Sequence, residues 1–262
     1  MSEKLRKLIY RLLAHPATRE LDLDDPRLLD KRKDILHDKV LLRSIYLDWY
    51  KRLTDVLDID NDQVLELGSG AGFLQDLHPN IVSSDVIYLP GLSAILDAQS
   101  LPFNNQTLNA IVLCNVLHHI PDVQAFFRET ARCTQTSGQL VMIEPWVTAW
   151  SRFIYTHFHH EDFDPDALSW NLPAGGHLSS ANGALPWIVF KRDRGRFEVD
   201  HPEWRIQNIE PFMPFLYLLS GGISGRTLMP GWMYRPWKGL ERVLRPWNNH
   251  LAMFAFIRLV RM

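Results

Sequence analysis

Residues 63–72 read Gln-Val-Leu-Glu-Leu-Gly-Ser-Gly-Ala-Gly, and they leave the chain few folds to choose from. A short apolar run with Glu66 inside it passes at once into glycines at every second position, Gly68, Gly70 and Gly72. This is the pattern of a buried strand entering a tight turn. Glycine reaches positive φ without a Cβ clash, and a backbone without side chains lets a ligand come close. The turn is expected to feed a helix beginning near Phe73, whose unpaired amides would line a polar pocket.

The spacing distinguishes between cofactors. A dinucleotide fingerprint places its third glycine three residues after the second, but Phe73 occupies that slot and the third glycine comes one residue early. The stretch reads acidic-x-G-x-G-x-G instead, which resembles motif I of the class I S-adenosylmethionine-dependent methyltransferases. A nicotinamide dehydrogenase is disfavoured by the same residue.

Strands and helices then alternate, as in a parallel sheet covered on both faces. Residues 81–84 form a strand that ends on Asp85, an acceptor suited to the two hydroxyls of a ribose. The interval from Gly68 is short, which a clipped helix over 73–77 explains. Asp97-Ala98, followed by Leu101-Pro102-Phe103, resembles the segment that holds adenine in the small-molecule methyltransferases of this class. By that resemblance Asp97 accepts from the exocyclic amine and Ala98 donates to a ring nitrogen. After a strand at 111–114, Asn115-Val116-Leu117-His118-His119-Ile120 is similar to the Leu-His-His block of the type 11 methyltransferase family, where the strand end faces the sulfonium. A helix over 123–133 is read as ending on a glycine cap at Ser137-Gly138, and a strand at 139–143 closes with Glu144-Pro145-Trp146.

The resemblance covers residues 63–145 with four blocks in order. It implies a Rossmann-like, seven-stranded, mostly parallel sheet with helices on both faces, its last two strands an antiparallel hairpin at one edge. It also implies S-adenosylmethionine as cofactor, held by Glu66, Gly68, Ser69, Gly70, Gly72, Asp85, Val86, Asp97, Ala98 and Asn115. His118, His119 and Glu144 are the candidate catalytic bases, because strand ends are where ligands meet open α/β sheets. A silent binding protein that keeps the nucleotide pocket would show the same four blocks.

Three regions follow: a helical cap over 1–60, the cofactor core over 61–145, and a substrate lid with the terminal strands over 146–262. Leu5, Leu8, Ile9, Leu12 and Leu13 give residues 1–14 an amphipathic pattern with a basic face, suited to packing on the domain or to an anionic membrane. A second helical stretch spans 27–53 with a break near Asp38. In the lid, His157, His159, His160, Glu161 and Asp162 have the composition of a metal site. Adjacent side chains diverge, however, and no second ligand pair stands out, so no metal is assigned. Further on, Gly175-Gly176-His177 continues an irregular stretch. A charged helix is expected over 187–197, strands over 204–209 and 251–260, and a helix over 237–244.

Net charge is formally −2, so no overall basic field recruits nucleic acid. From Lys191 onward there are 12 Lys or Arg against 6 Asp or Glu, mixed with aromatic residues. Cys114 and Cys133 read as reduced thiols of a cytoplasmic protein. No secretory signal and no apolar run long enough for a bilayer is visible, which leaves a soluble chain or peripheral membrane contact through residues 1–14 or the aromatic C-terminal region. Nine tryptophans, many after Glu144, suit a flat or apolar acceptor: a lipid, an aromatic metabolite or the faces of a sugar. The expected reaction is O-methylation of a small molecule, a glycan, lipid-linked or aromatic acceptor, with C- and N-methylation open.

Overall fold

A computed structural model describes residues 14–16, 26–159, 161–172 and 180–262. The expected helix over 1–14 (Ala14 apart), His160 and Gly175-Gly176-His177 lie outside the described residues.

Seven strands form one sheet: β1 (Val64–Leu67), β2 (Val82–Asp85), β3 (Ala94–Ile95), β4 (Leu108–Cys114), β5 (Thr134–Pro145), β6 (Trp204–Phe212) and β7 (Phe254–Arg261). Their order is β3-β2-β1-β4-β5-β7-β6. The first five pair in parallel, whereas β7 runs antiparallel between β5 and β6. The expected mixed sheet with a terminal hairpin is therefore the fold observed.

Two-residue alternation along the strands builds a core on each face. Leu65, Leu67, Ile111, Leu113, Leu140 and Met142 share one core with Phe126, Phe127 and Phe190. Val64, Ala110, Val112, Val141 and Ile143 share the other with Leu42, Ile45, Trp49 and Leu53. Each fully buried Val, Leu, Ile, Met or Phe among them contributes about 1.5–3 kcal/mol, so both faces must be covered for the sheet to persist. Helices α1 (Pro26–Asp38) and α2 (Val40–Thr54) precede the sheet, α3 (Leu74–Leu77) follows the glycine turn, α4 (Val123–Cys133) leads into β5, and α5 (Ala149–Phe158) leaves it. Their neighbours place α2 against one face and α4 against the other.

The break between α1 and α2 falls at Lys39, next to the expected position. Its buried ammonium donates to the carbonyls of Gly222 (2.5 Å) and Gly225 (2.7 Å), and burial pulls its pKa down to about 8.

Several expectations are corrected. Ser137-Gly138 is not a helix cap: α4 stops at Cys133, and the pair lies inside β5 where the pairing with β4 slips, Leu108 facing Thr134 but Ala110 facing Gln139. Ser137 takes φ 66°, and a Cβ on Gly138 would meet Asn109 O at 2.8 Å, so the pair forms a bulge. β3, two residues long, carries no periodicity for a sequence to reveal. The helix expected over 187–197 is a helical turn at Leu185–Trp187, a wider π turn at Ile188–Arg192 and a helix at Arg194–Asp200. Arg192 leaves the axis there, donating to Pro165 O and Ala167 O at 2.8 Å each and pairing with Asp193.

Candidate active site

The nominated residues lie at or just past the carboxyl ends of β1 to β5. Between β1 and β4 the strand order reverses direction, which opens a crevice at that edge of the sheet.

Each glycine of the turn after β1 has its own reason. Gly68 has φ 67°, and a Cβ there would meet Val116 Cγ2 at 2.5 Å. Gly72 packs against Tyr50 Oη and Ser69 O. Gly70, at φ 51°, is the open one: a Cβ would find nothing nearer than 3.9 Å, at Asp85 Oδ2 and Gly68 O. Four amides of the turn are satisfied within the chain. Ser69 N donates to Ser84 O (2.9 Å), Gly70 N to Asp85 Oδ2 (2.9 Å), Gly72 N to Ser69 O (2.7 Å) and Phe73 N to Tyr50 Oη (3.2 Å). Phe73 precedes the helix, which begins at Leu74.

Acidic groups surround the turn. Glu66 points to the α2 side of β1 and accepts from Ser69 Oγ at 2.7 Å; burial, partly offset by that bond and reinforced by Asp85, pushes its pKa up to about 7. Asp85, the last residue of β2, also accepts from Ile87 N at 3.1 Å, and Val86 beyond it is exposed. Leu96 N donates to Asp85 O, so Asp97 and Ala98 leave the neighbouring strand on the same edge. Asp97 Oδ1 accepts from Gln99 N and Nε2 (2.9 and 3.0 Å). The Leu-Pro-Phe turn is pinned by Glu129 on Leu101 N and by Arg132 on Leu101 O and Phe103 O. Asn115, at the end of β4, holds φ 59°, and its buried Oδ1 has no hydrogen-bond partner among the described residues. Asparagine enters the left-handed region more readily than most non-glycine residues, and here it turns the chain out of the strand.

Across the crevice stands a histidine cluster. Glu144 is fully buried: Oε1 accepts from Val116 N and Leu117 N at 2.8 Å each, and Oε2 meets His118 Nδ1 at 2.7 Å. With both oxygens engaged, Glu144 orients His118 and its own turn. Burial lowers the His118 pKa, but the hydrogen bond to Glu144 and the nearby Glu161 carboxylate outweigh it and raise the ring to about 9. His119, buried beside that cation, is pushed down to about 4. Glu161 closes the group, 3.6 Å from His118 Nε2 and 3.9 Å from His119 Nε2. Of the lid histidines, His159 joins through Glu161 N, which donates to its Nδ1 at 3.3 Å, while the Nδ1 of His157 lies 2.8 Å from Phe153 O within its own helix.

Two positions of the candidate site were not assigned to it from the sequence. Tyr50 reaches the glycine turn from a helix whose pattern announces only burial. Glu161 stood in a cluster rich in histidine and acid, but its partners lie about forty residues earlier. Asn182 and Gly183 hold the lid in place, Asn182 N donating to His118 O and Gly183 N to Asp162 O.

A seven-stranded mixed sheet in this order, with a glycine turn and acidic strand ends at one edge, is the Rossmann-like fold of the class I methyltransferases. Residues 75–142, from within α3 to within β5, match a family model described as "Methyltransferase domain". No curated protein matches the chain. Among solved structures, geranyl diphosphate C-methyltransferase from Streptomyces coelicolor A3(2), in complex with Mg2+, geranyl diphosphate and S-adenosyl-L-homocysteine, is similar at 15% identity. That match covers 95% of this chain and 89% of the other, with a TM-score of 0.49. An S-adenosylmethionine-dependent methyltransferase from Mesorhizobium loti matches at 12% identity over 80% and 96% of the two chains, TM-score 0.45. The [4+2]-cyclase SpnF matches at 15% identity over 82% and 78%, TM-score 0.46.

S-adenosylmethionine is the cofactor of such a domain, and the residues present fit it. The open face of Gly70, the Asp85 carboxylate beside it and the unpartnered Asn115 oxygen provide a cradle with polar groups for a nucleoside and an amino acid.

Proposed function

We propose that the chain transfers a methyl group from S-adenosylmethionine to a hydroxyl of a small molecule. The observation that carries this reading is the pairing on one sheet edge of an open glycine cradle after β1 with a buried histidine cluster after β4 and β5. Asp85 would hold the ribose, Asp97 and Ala98 the adenine, and Glu66, Ser69 and Asn115 the amino-acid end. The sulfonium supplies an electrophilic methyl; the protein aligns donor and acceptor and excludes water. The acceptor oxygen–carbon bond forms as the sulfur–carbon bond breaks, its electron pair stays on sulfur, and the hydroxyl proton leaves through the group formed by His118, His119 and Glu161. An oxygen acceptor is favoured because a carbon or amine nucleophile has less need of so dense a cluster for proton handling.

The acceptor is met at a membrane surface in the reading the C-terminal region favours. No residue of the helix Tyr234–Val243 is buried. Leu240, Val243 (68% exposed) and Trp247 (53%) recur three to four residues apart, with Trp232 (74%) exposed eight residues before Leu240, and Arg235, Arg242 and Arg245 are exposed beside them. Aromatic and aliphatic side chains bordered by arginine suit the interface of an anionic bilayer. No helix among the described residues is long and apolar enough to cross a membrane.

Transfer of a labelled methyl group from S-adenosylmethionine into a lipid and metabolite extract tests the activity, with Gly70→Arg as control. Label in an extracted small molecule that vanishes with the variant is the expected result. Label unchanged by Gly70→Arg would remove the proposed pocket from the reaction.

A further inference from the structure

We propose that His118, His119 and Glu161 form a divalent-cation site beside the methyl-transfer crevice. Their candidate ligand atoms all lie within 4.8 Å of one another. The separations are informative: 3.6 Å from His118 Nε2 to Glu161 Oε2 and 3.9 Å from His119 Nε2 to Glu161 Oε1 exceed hydrogen-bond length. Two ligands each about 2.1 Å from a tetrahedral ion stand roughly 3.4 Å apart, so the three groups surround a space of an ion's size.

The supporting contacts point the same way. A metal-bound histidine characteristically gives its other ring nitrogen to a carboxylate, which fixes the ring and its tautomer. Here His118 Nδ1 is 2.7 Å from Glu144 Oε2, and Glu144 is itself fixed by the Val116 and Leu117 amides, which leaves Nε2 facing Glu161. The ligands come from the turn after β4 and from the lid, and Asn182 N on His118 O and Gly183 N on Asp162 O hold these segments together. Side-chain exposures of 3%, 17% and 18% for His118, His119 and Glu161 shield the site from bulk water.

Two imidazoles and a carboxylate select a zinc-like transition ion over magnesium or calcium, which prefer oxygen alone. Three protein ligands leave a coordination position open, as in catalytic sites. On the proposed methyl-transfer reading, that position takes the acceptor's hydroxyl oxygen and lowers its pKa. With the cation bound, His118, His119 and Glu161 would serve as its ligands, and the coordinated hydroxyl would release its proton to water rather than to a histidine base.

The test is calorimetric titration of Zn2+ into the EDTA-treated full chain, with S-adenosylhomocysteine binding measured on the same samples. One equivalent should bind with micromolar or tighter affinity. His119→Ala and Glu161→Gln should each weaken it at least a hundredfold, and Glu144→Gln about tenfold to a hundredfold. Gly70→Arg should leave zinc binding intact, which separates failure of this site from failure of the cofactor pocket. Absence of saturable zinc binding, or wild-type affinity in both His119→Ala and Glu161→Gln, would overturn the proposal and leave the cluster an ion-pair network.

Discussion

Gly68, Gly70 and Gly72 share a residue type and a motif, yet three different environments require them. Gly68 yields to Val116 and Gly72 to Tyr50, so these two serve packing, whereas Gly70 faces open space beside Asp85. Gly68→Ala should therefore lower stability, by about 1–3 kcal/mol from overpacking and positive-φ strain, in a urea unfolding series. Glu66 makes a pH-dependent prediction. Its carboxyl is held near 7 in the folded chain against an ordinary 4.5, so the folded state retains its proton where the unfolded state has lost it. Stability of the cofactor-free protein should then fall as pH rises from about 4.5 through 7 and stay lower above that. Glu66→Gln should remove the decline and be more stable than wild type at pH 8 by an amount on the order of 2–3 kcal/mol, with little difference near pH 4.5. Unfolding curves at both pH values read this directly; equal values at pH 8 would show that the carboxylate is not penalised.

At the scale of elements, the glycine turn is held by its neighbours more than by its own sequence. Tyr50 projects from α2 to accept from Phe73 N, with the two rings edge to face at 5.0 Å, and Asp85 accepts from Gly70 N at the end of β2. A second clamp lies at the α1–α2 break, where Lys39 grips two carbonyls of the 221–225 turn. Lys39→Met removes both donors from a buried place and should cost about 1–3 kcal/mol, seen as a lower unfolding midpoint. Such long-range clamps are what a sequence conceals. Lys39 is one basic residue among several in its stretch, and Gly222 and Gly225 look like any flexible loop. The strand ends, in contrast, were legible because Asn115 and Glu144 each follow an apolar run of four residues, and Asp85 closes the short Ile81–Ser84 segment. The Ser137-Gly138 pair misled because glycine marks a helix cap and a strand bulge equally well, and only the slipped register of β4 against β5 separates them.

For the whole molecule, the parallel core was readable from the strand and helix alternation. Recognition of the terminal hairpin needed the resemblance, since Trp204 to Phe212 and Phe254 to Arg261 show their pairing only once the sheet is assembled. The histidine cluster was half visible: His118 and His119 stood at a strand end and Glu161 in the lid, but nothing local says that the lid folds back over that strand. The arginine-flanked face around Trp232, Leu240, Val243 and Trp247 carries a prediction at this scale. The full chain should cosediment with vesicles containing phosphatidylserine, and the double variant Trp232→Ala with Val243→Glu should lose at least about tenfold of that partitioning; equal partitioning of the two would show that this face is not a membrane contact. Calorimetric titration of S-adenosylhomocysteine into the wild type and Gly70→Arg reads the cofactor cradle directly. One site of micromolar or tighter affinity, weakened at least a hundredfold in the variant while its unfolding midpoint moves little, is the predicted result. No binding to the wild type, or equal binding to both, would contradict it.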